Sequence, residues 1–151
     1  MSYWRLHYHI VWSTYQRAPL LTEAMERPIY GTILGKAKEL GITVHAIGNV
    51  EDHLHVAVSI PPKIAVSDCV KHFKGASSHY VNHLPGASGD FGWQDGYGAL
   101  TFGTRAMPDV LSYVRNQKEH HRQQTTRAPF ERMTEESDGV QIVPDDLAAG
   151  R

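Results

Sequence analysis

Large residues alternate with smaller or polar ones from Trp4 to Trp12 (Trp4, Leu6, Tyr8, Ile10, Trp12), the period-two signature of a strand with one buried face. Between Thr22 and Leu40 the period changes. Met25, Ile29, Ile33, Ala37 and Leu40 recur at helical spacing and stop at Gly41, a residue suited to the left-handed position after a helix, with Pro28 as an alternative start. Two strand-like runs follow, 42–50 and 53–60, separated only by Glu51 and Asp52, so they are expected to pair as antiparallel neighbours. Pro61 and Pro62 end the second. Val66, Val70, Phe73, Ser77, Tyr80 and Leu84 return to helical spacing until Pro85 and Gly86 break it. A glycine-rich loop leads through Trp93 to a fourth strand over 97–103, and Pro108 favours the first turn of a last helix ending near His121.

The predicted order is βαββαβα. Four strands with two crossover helices point to an α+β, ferredoxin-like βαββαβ sandwich, a four-stranded antiparallel sheet with helices on one face and a C-terminal helix appended.

Composition narrows the chemistry. A chain of 151 residues, 41% hydrophobic and 21% charged, suits one globular domain. No apolar run approaches the roughly 20 residues that cross a bilayer, and the amino end lacks the basic-then-apolar order of a signal peptide, so a cytoplasmic protein without membrane association is expected. Cys69 is the only cysteine, which excludes an internal disulfide and a cysteine-built zinc site. The formal charge is -1, but it is unevenly spread. Residues 131–151 hold six acids against Arg132 and Arg151, leaving residues 1–130 with 13 basic and 10 acidic side chains. The expected organisation is therefore one mildly basic domain over 1–130 and a loosely ordered acidic tail over 131–151; charge permits nucleic-acid binding without arguing for it.

His53, Leu54 and His55 lie within a strand, where both imidazoles project to one side while Leu54, Val56, Val58 and Ile60 point to the other. Such a pair can chelate a divalent ion that keeps open positions for water and a phosphate oxygen, and Asp52 can orient one imidazole. Two histidines two apart also occur by chance on a solvated sheet face. A histidine-triad hydrolase needs a third histidine at position 57, where this chain has Ala57. On the last helix Met107, Val110, Leu111 and Val114 form an apolar stripe, with Tyr113, Gln117 and His120 beside it on the exposed flank. Residues four apart on a helix are neighbours, so the Tyr113 hydroxyl and a Gln117 carbonyl oxygen could approach the same ion. Lys71, Lys74 and Ser78 share a face of the second helix and could grip phosphates, although a solvated helix face reads the same way. Phe91, Trp93 and Tyr97 either stack on unpaired bases or anchor their loop to the core.

Five islands carry a resemblance over roughly residues 6–123: Tyr8-His9-Ile10-Val11-Trp12-Ser13-Thr14, Glu51-Asp52-His53-Leu54-His55, Lys71-His72-Phe73-Lys74-Gly75, Trp93-Gln94-Asp95-Gly96-Tyr97-Gly98 and Tyr113-Val114-Arg115-Asn116-Gln117. In this order they resemble the single-tyrosine HUH transposases of small insertion sequences and their relatives linked to repetitive palindromes. The resemblance implies that His53, His55 and Gln117 bind Mg2+ or Mn2+, that Tyr113 is the catalytic nucleophile, and that Lys71 and Lys74 lie in the DNA-binding region; Ser78, on the same helix face, and Arg115, in the last island, are expected to contact DNA as well. It further implies single-stranded hairpin DNA as substrate, a homodimer whose active sites can be shared, and no small-molecule cofactor, in a bacterial or archaeal cytoplasm at the nucleoid. Six further histidines, His7, His9, His45, His72, His79 and His83, are expected to be packing or surface residues. Rival readings are a domesticated hairpin-binding module without transposition activity, a ferredoxin-like single-stranded RNA binder and, third, a relaxase or replication initiator, for whose extra domains 151 residues leave no room.

Overall fold

The computed structural model describes residues 1–134. Among these residues four strands and five α-helices follow in order: β1 (His7–Ser13), α1 (Glu23–Leu40), β2 (Thr43–Asn49), β3 (His53–Ser59), α2 (Val66–Asn82), β4 (Gly98–Phe102), α3 (Met107–Arg115), α4 (Gln117–Gln123) and α5 (Ala128–Glu131). The strands form one antiparallel sheet in the order β2-β3-β1-β4, so the two central strands are buried by hydrogen-bonded neighbours on both sides. This is the expected α+β sandwich.

Alternation along the central strands divides the molecule into two layers. Ile10 and Trp12 of β1 and Leu54, Val56 and Val58 of β3 face α1 and α2, where Ile29, Ile33, Val70 and Phe73 complete the main core. Full burial of each large apolar side chain contributes about 1.5–3 kcal/mol, so this layer dominates the stability. The opposite face is thinner: Ala46 and Ala57 of the sheet pack against Val110 and Val114 of α3.

Several boundaries differ from those expected. Trp4 stays 43% exposed and β1 begins only at His7, because the strand needs β3 and β4 to pair with and their register ends at Ser59 and Phe102. Helix α1 starts at Glu23 and carries Pro28 inside it, while Gly41 takes the anticipated left-handed conformation at its end. The last helix is interrupted. Asn116 leaves helical geometry and its side-chain amide donates to the Ser112 carbonyl, dividing the expected helix into α3 and α4. Strand β2 holds a bulge, with His45 the extra residue between the pairs Val44–Val58 and Ala46–Ala57.

Helix α3 lies so close to β2 that Gly48 is sterically required. A Cβ added there would fall 1.7 Å from the Val114 carbonyl oxygen and 2.9 Å from its carbon. Neither backbone can yield without separating the layers. We therefore expect Gly48→Ala to lower stability by about 1–3 kcal/mol, the usual cost of overpacking, read as a reduced urea midpoint at unchanged m-value. An unaltered midpoint would show that α3 is not pressed onto this strand.

Candidate active site

The face of the sheet opposite α1 and α2 carries a row of histidines. His53 and His55 project there from β3 and His9 from the adjacent β1, each at most 2% exposed. The two rings of the β3 pair are turned by outer partners. His53 Nδ1 lies 2.6 Å from Asp52 Oδ1, and Asp52 is held in turn by Arg17 Nε at 3.3 Å. His55 Nδ1 lies 2.8 Å from His9 Nε2, the rings stacked with an interplanar angle of 6°. With both Nδ1 atoms engaged, both Nε2 atoms are left to face a common point, the orientation that outer partners impose on metal-binding imidazoles.

Helices α3, α4 and α5 close over that point. Tyr113 is 1% exposed, which corrects the expectation of an exposed flank beside the apolar stripe. Burial follows from α5, whose Phe130 packs edge-on against both Tyr113 and His9 at 5.0 and 4.7 Å between ring centroids. The Tyr113 hydroxyl donates to Glu131 Oε1 at 2.5 Å and accepts from the Arg127 backbone N–H at 3.0 Å. The other Glu131 oxygen sits 3.0 Å from His53 Nε2 and 3.1 Å from His55 Nε2. His121 of α4 reaches the same carboxylate at 3.5 Å.

Electrostatics follow from this packing. Burial pushes the Tyr113 phenol up to about 12, reinforced by its bond to Glu131, while the Arg127 N–H and the Gln117 side chain pull the other way. Burial also brings His9 down to about 3, with His55 beside it adding to the effect, so His9 is a neutral partner. Burial dominates at His55, whose proton affinity falls, whereas at His53 the Glu131 and Asp52 carboxylates outweigh burial and raise it. Glu131 is likewise partly buried, but its histidine neighbours and the Tyr113 hydroxyl hold it well below the usual carboxylate range.

Ligand atoms of His53, His55, His121 and Glu131 lie within 4.8 Å of one another, so this cluster can hold a metal ion. Gln117 is 1% exposed; its amide N–H donates to the Tyr113 carbonyl at 2.9 Å, and its Oε1 has no hydrogen-bond partner. A buried carbonyl oxygen without a partner is costly unless something else satisfies it.

The expected nucleophile and ligands thus lie together, whereas the expected DNA contacts are dispersed. Helix α2, carrying Lys71, Lys74 and Ser78, packs on the other face of the sheet. Lys71 is exposed, Lys74 donates to the Gln94 and Gly96 carbonyls at 2.8 and 2.6 Å, and Ser78 bonds its own helix. Arg115 is exposed beside β2, its guanidinium donating to the His45 carbonyl. The aromatic loop is anchored to the core: Phe91 is buried and Trp93 Nε1 donates to Ser77 Oγ at 3.0 Å.

Sequence reasoning missed Glu131, His121 and the supporting role of His9. Glu131 fell in the expected acidic tail, in a stretch without periodicity; in the structure it closes α5, while residues 135–151 of that tail lie outside the described residues.

The family described as transposase, IS200-like, matches residues 2–117. The chain belongs to the IS200-like transposase family. Membership makes it a DNA-binding enzyme of the class that cleaves and transfers strands. The ISDra2 transposase TnpA of Deinococcus radiodurans is 25% identical over 119 residues, 76% of this chain and 85% of the relative. Two solved structures share the fold. One is a crystal structure from Deinococcus radiodurans R1 assigned as a transposase, with a TM-score of 0.59 and 24% identity, covering 77% of this chain and 93% of that one. The other is a REP-associated tyrosine transposase bound to a REP hairpin, with a TM-score of 0.59 and 16% identity, covering 95% of this chain and all of its own. Among the described residues no helix is long and apolar enough to cross a membrane.

Since α5 shields the tyrosine of this IS200-like chain, Phe130→Ala should uncover it. Nitration of Tyr113 by tetranitromethane, followed by peptide mass spectrometry, is expected to rise several-fold in that variant. Equal rates would mean that α5 does not control access to the phenol.

Proposed function

We propose that this IS200-like transposase nicks single-stranded hairpin DNA and transfers the strand through a 5′-phosphotyrosine on Tyr113. One observation carries the reading: the Tyr113 hydroxyl and the Nε2 atoms of His53 and His55 converge on the two oxygens of a single carboxylate. A phenol and a histidine pair held at one carboxylate stand close enough to act on the same phosphodiester.

In the reaction the Tyr113 oxygen forms a bond to phosphorus while the bond from phosphorus to the 3′ oxygen breaks. The phenolic proton is released and the departing 3′ oxygen takes one up. The phosphodiester energy is kept in the phosphotyrosine, so a later 3′ hydroxyl can reverse the step and reseal DNA without ATP.

The cluster can hold a divalent ion. The Nε2 atoms of His53 and His55 supply two nitrogens, their rings already oriented by Asp52 and His9, and the partnerless Gln117 Oε1 is proposed to add an oxygen. By the family resemblance the ion is Mg2+ or Mn2+, and it would neutralise charge on the phosphate and so ease attack by a tyrosine that is neutral at rest. The backbone N–H of Arg127 and the Gln117 side chain act on the phenol itself, favouring the charge that develops there.

Lys71 and Arg115, both exposed, are proposed to meet DNA phosphates, with Lys74 and Ser78 shaping the same helix and loop. The family resemblance further suggests a homodimer. In one chain the tyrosine already stands at its own histidine pair, with ring centroids of Tyr113 and His55 6.0 Å apart, which supports action within the protomer rather than a shared site. The alternative, a domesticated hairpin-binding module, draws on the closed state of the site, in which Tyr113 is 1% exposed.

Incubation with labelled single-stranded hairpin pools and Mn2+ should yield a protein-linked DNA band in denaturing gels. EDTA should abolish it, and Tyr113→Phe should reduce it by on the order of 10³-fold or more, as removal of a nucleophile does. Binding without any covalent band, under either metal and with pools that contain flanking single strand, would leave the hairpin-binding module. Mixing Tyr113→Phe with His53→Ala protein should restore no band if each chain uses its own tyrosine; recovery would establish a shared site.

A further inference from the structure

The match to the family ends at Gln117, so α5 lies wholly beyond it, yet α5 delivers the carboxylate at the centre of the site. We propose, resting on the metal-dependent reading above, that Glu131 is an additional protein ligand of the divalent ion and that its second oxygen positions the Tyr113 hydroxyl. The C-terminal segment is then part of the active site rather than an appendage.

Charge is the first argument. Two neutral imidazoles and an amide oxygen carry no negative charge, and a divalent cation among residues 0–2% exposed would be poorly compensated. Glu131 supplies the missing charge from within the cluster; Asp52 reaches it only through the far side of His53. Donor chemistry is the second. A nitrogen-rich pair alone suits softer metals, and a carboxylate moves the set toward ions such as Mn2+ and Mg2+. The third is that docking of this segment is built into the sheet. A Cβ on Gly98 of β4 would fall 1.8 Å from the Arg132 carbonyl oxygen and 2.9 Å from its carbon, so the chain just after Glu131 crosses β4 where no side chain is possible. Phe130 pins the same segment against Tyr113 and His9.

Positioning follows from the same contacts. One carboxylate oxygen faces His53 and His55 while the other accepts the Tyr113 hydroxyl at 2.5 Å, so the nucleophile is held at a fixed offset from the ion's ligands. His121, 3.5 Å from the carboxylate, steadies it from α4.

The test is Mn2+ affinity of the full chain without DNA, measured from the electron paramagnetic resonance of free Mn2+, with thermal melting to confirm folding. Glu131→Gln keeps shape and removes charge; Gly98→Ala leaves every ligand in place and displaces the segment. Both should weaken Mn2+ binding by about 10–100-fold, the range seen when a metal site loses a supporting group. DNA cleavage at saturating Mn2+ should also fall in Glu131→Gln. Unchanged or tighter Mn2+ binding with faster cleavage would overturn the proposal and make Glu131 a plug in the seat of the scissile phosphate. His53→Ala separates the two levels of the argument. If that variant binds Mn2+ as well as wild type, the metal site itself is misassigned; if it loses the ion while Glu131→Gln keeps it, only the role of Glu131 falls.

Discussion

Strand β3 is hydrogen-bonded to β2 on one side and β1 on the other, and its side chains therefore have two directions only. Leu54, Val56 and Val58 enter the main core against α1 and α2; His53, His55 and Ala57 enter the second layer beneath α3. A slip of one residue in register would send the histidines into the apolar core and the aliphatics to the reactive face. Stability and chemistry thus depend on the same pairing. The strand that anchors the hydrophobic layer is also the one that orients the ligands, and a central strand is the most rigid support the fold offers.

The second layer turns that rigidity into a site. Because Gly48 lets α3 approach β2 to backbone contact, Tyr113 and Gln117 are brought down onto the histidine row instead of standing above it. Burial then works on each group according to its charge. It discourages ionisation of Tyr113 and protonation of His9 and His55, whereas contact with oppositely charged groups favours the charged forms of His53 and Glu131. The result is a buried cluster in which a carboxylate, a phenol and imidazoles are in contact, and in which the Gln117 carbonyl oxygen and the Nε2 atoms of His53 and His121 are left without a hydrogen-bond partner.

The periphery is organised around a different demand, that of holding loops. Lys74, the loop carbonyls of Gln94 and Gly96, and the Trp93 indole on Ser77 tie the glycine-rich segment before β4 to α2. The turn after β1 is fixed by Thr14, whose hydroxyl donates to the Ala18 and Asp52 carbonyls, and Arg17 then bridges to the Asp52 side chain behind His53. Loop order on one side of the sheet is thereby connected to imidazole orientation on the other.

Periodicity alone determined the fold class, the pairing of the two neighbouring runs around Glu51 and Asp52, and the common direction of His53 and His55, because these follow from local alternation and from which residues must leave water. It also marked Tyr113 and Gln117 as neighbours, since four residues make about one helical turn. What it could not reach depends on contacts between distant segments. Tyr113 was read as exposed because the stripe on α3 says nothing about a later helix lying across it, and Glu131 carried no signal because one acid in an aperiodic stretch looks like any other. Lys71, Lys74 and Ser78 share a helix face in sequence, but only the packing of α2 against the opposite side of the sheet decides that this face is not the reactive one. Which charges meet is a property of the folded chain, where Glu131 and His53 stand 78 positions apart in sequence and 3.0 Å apart in space.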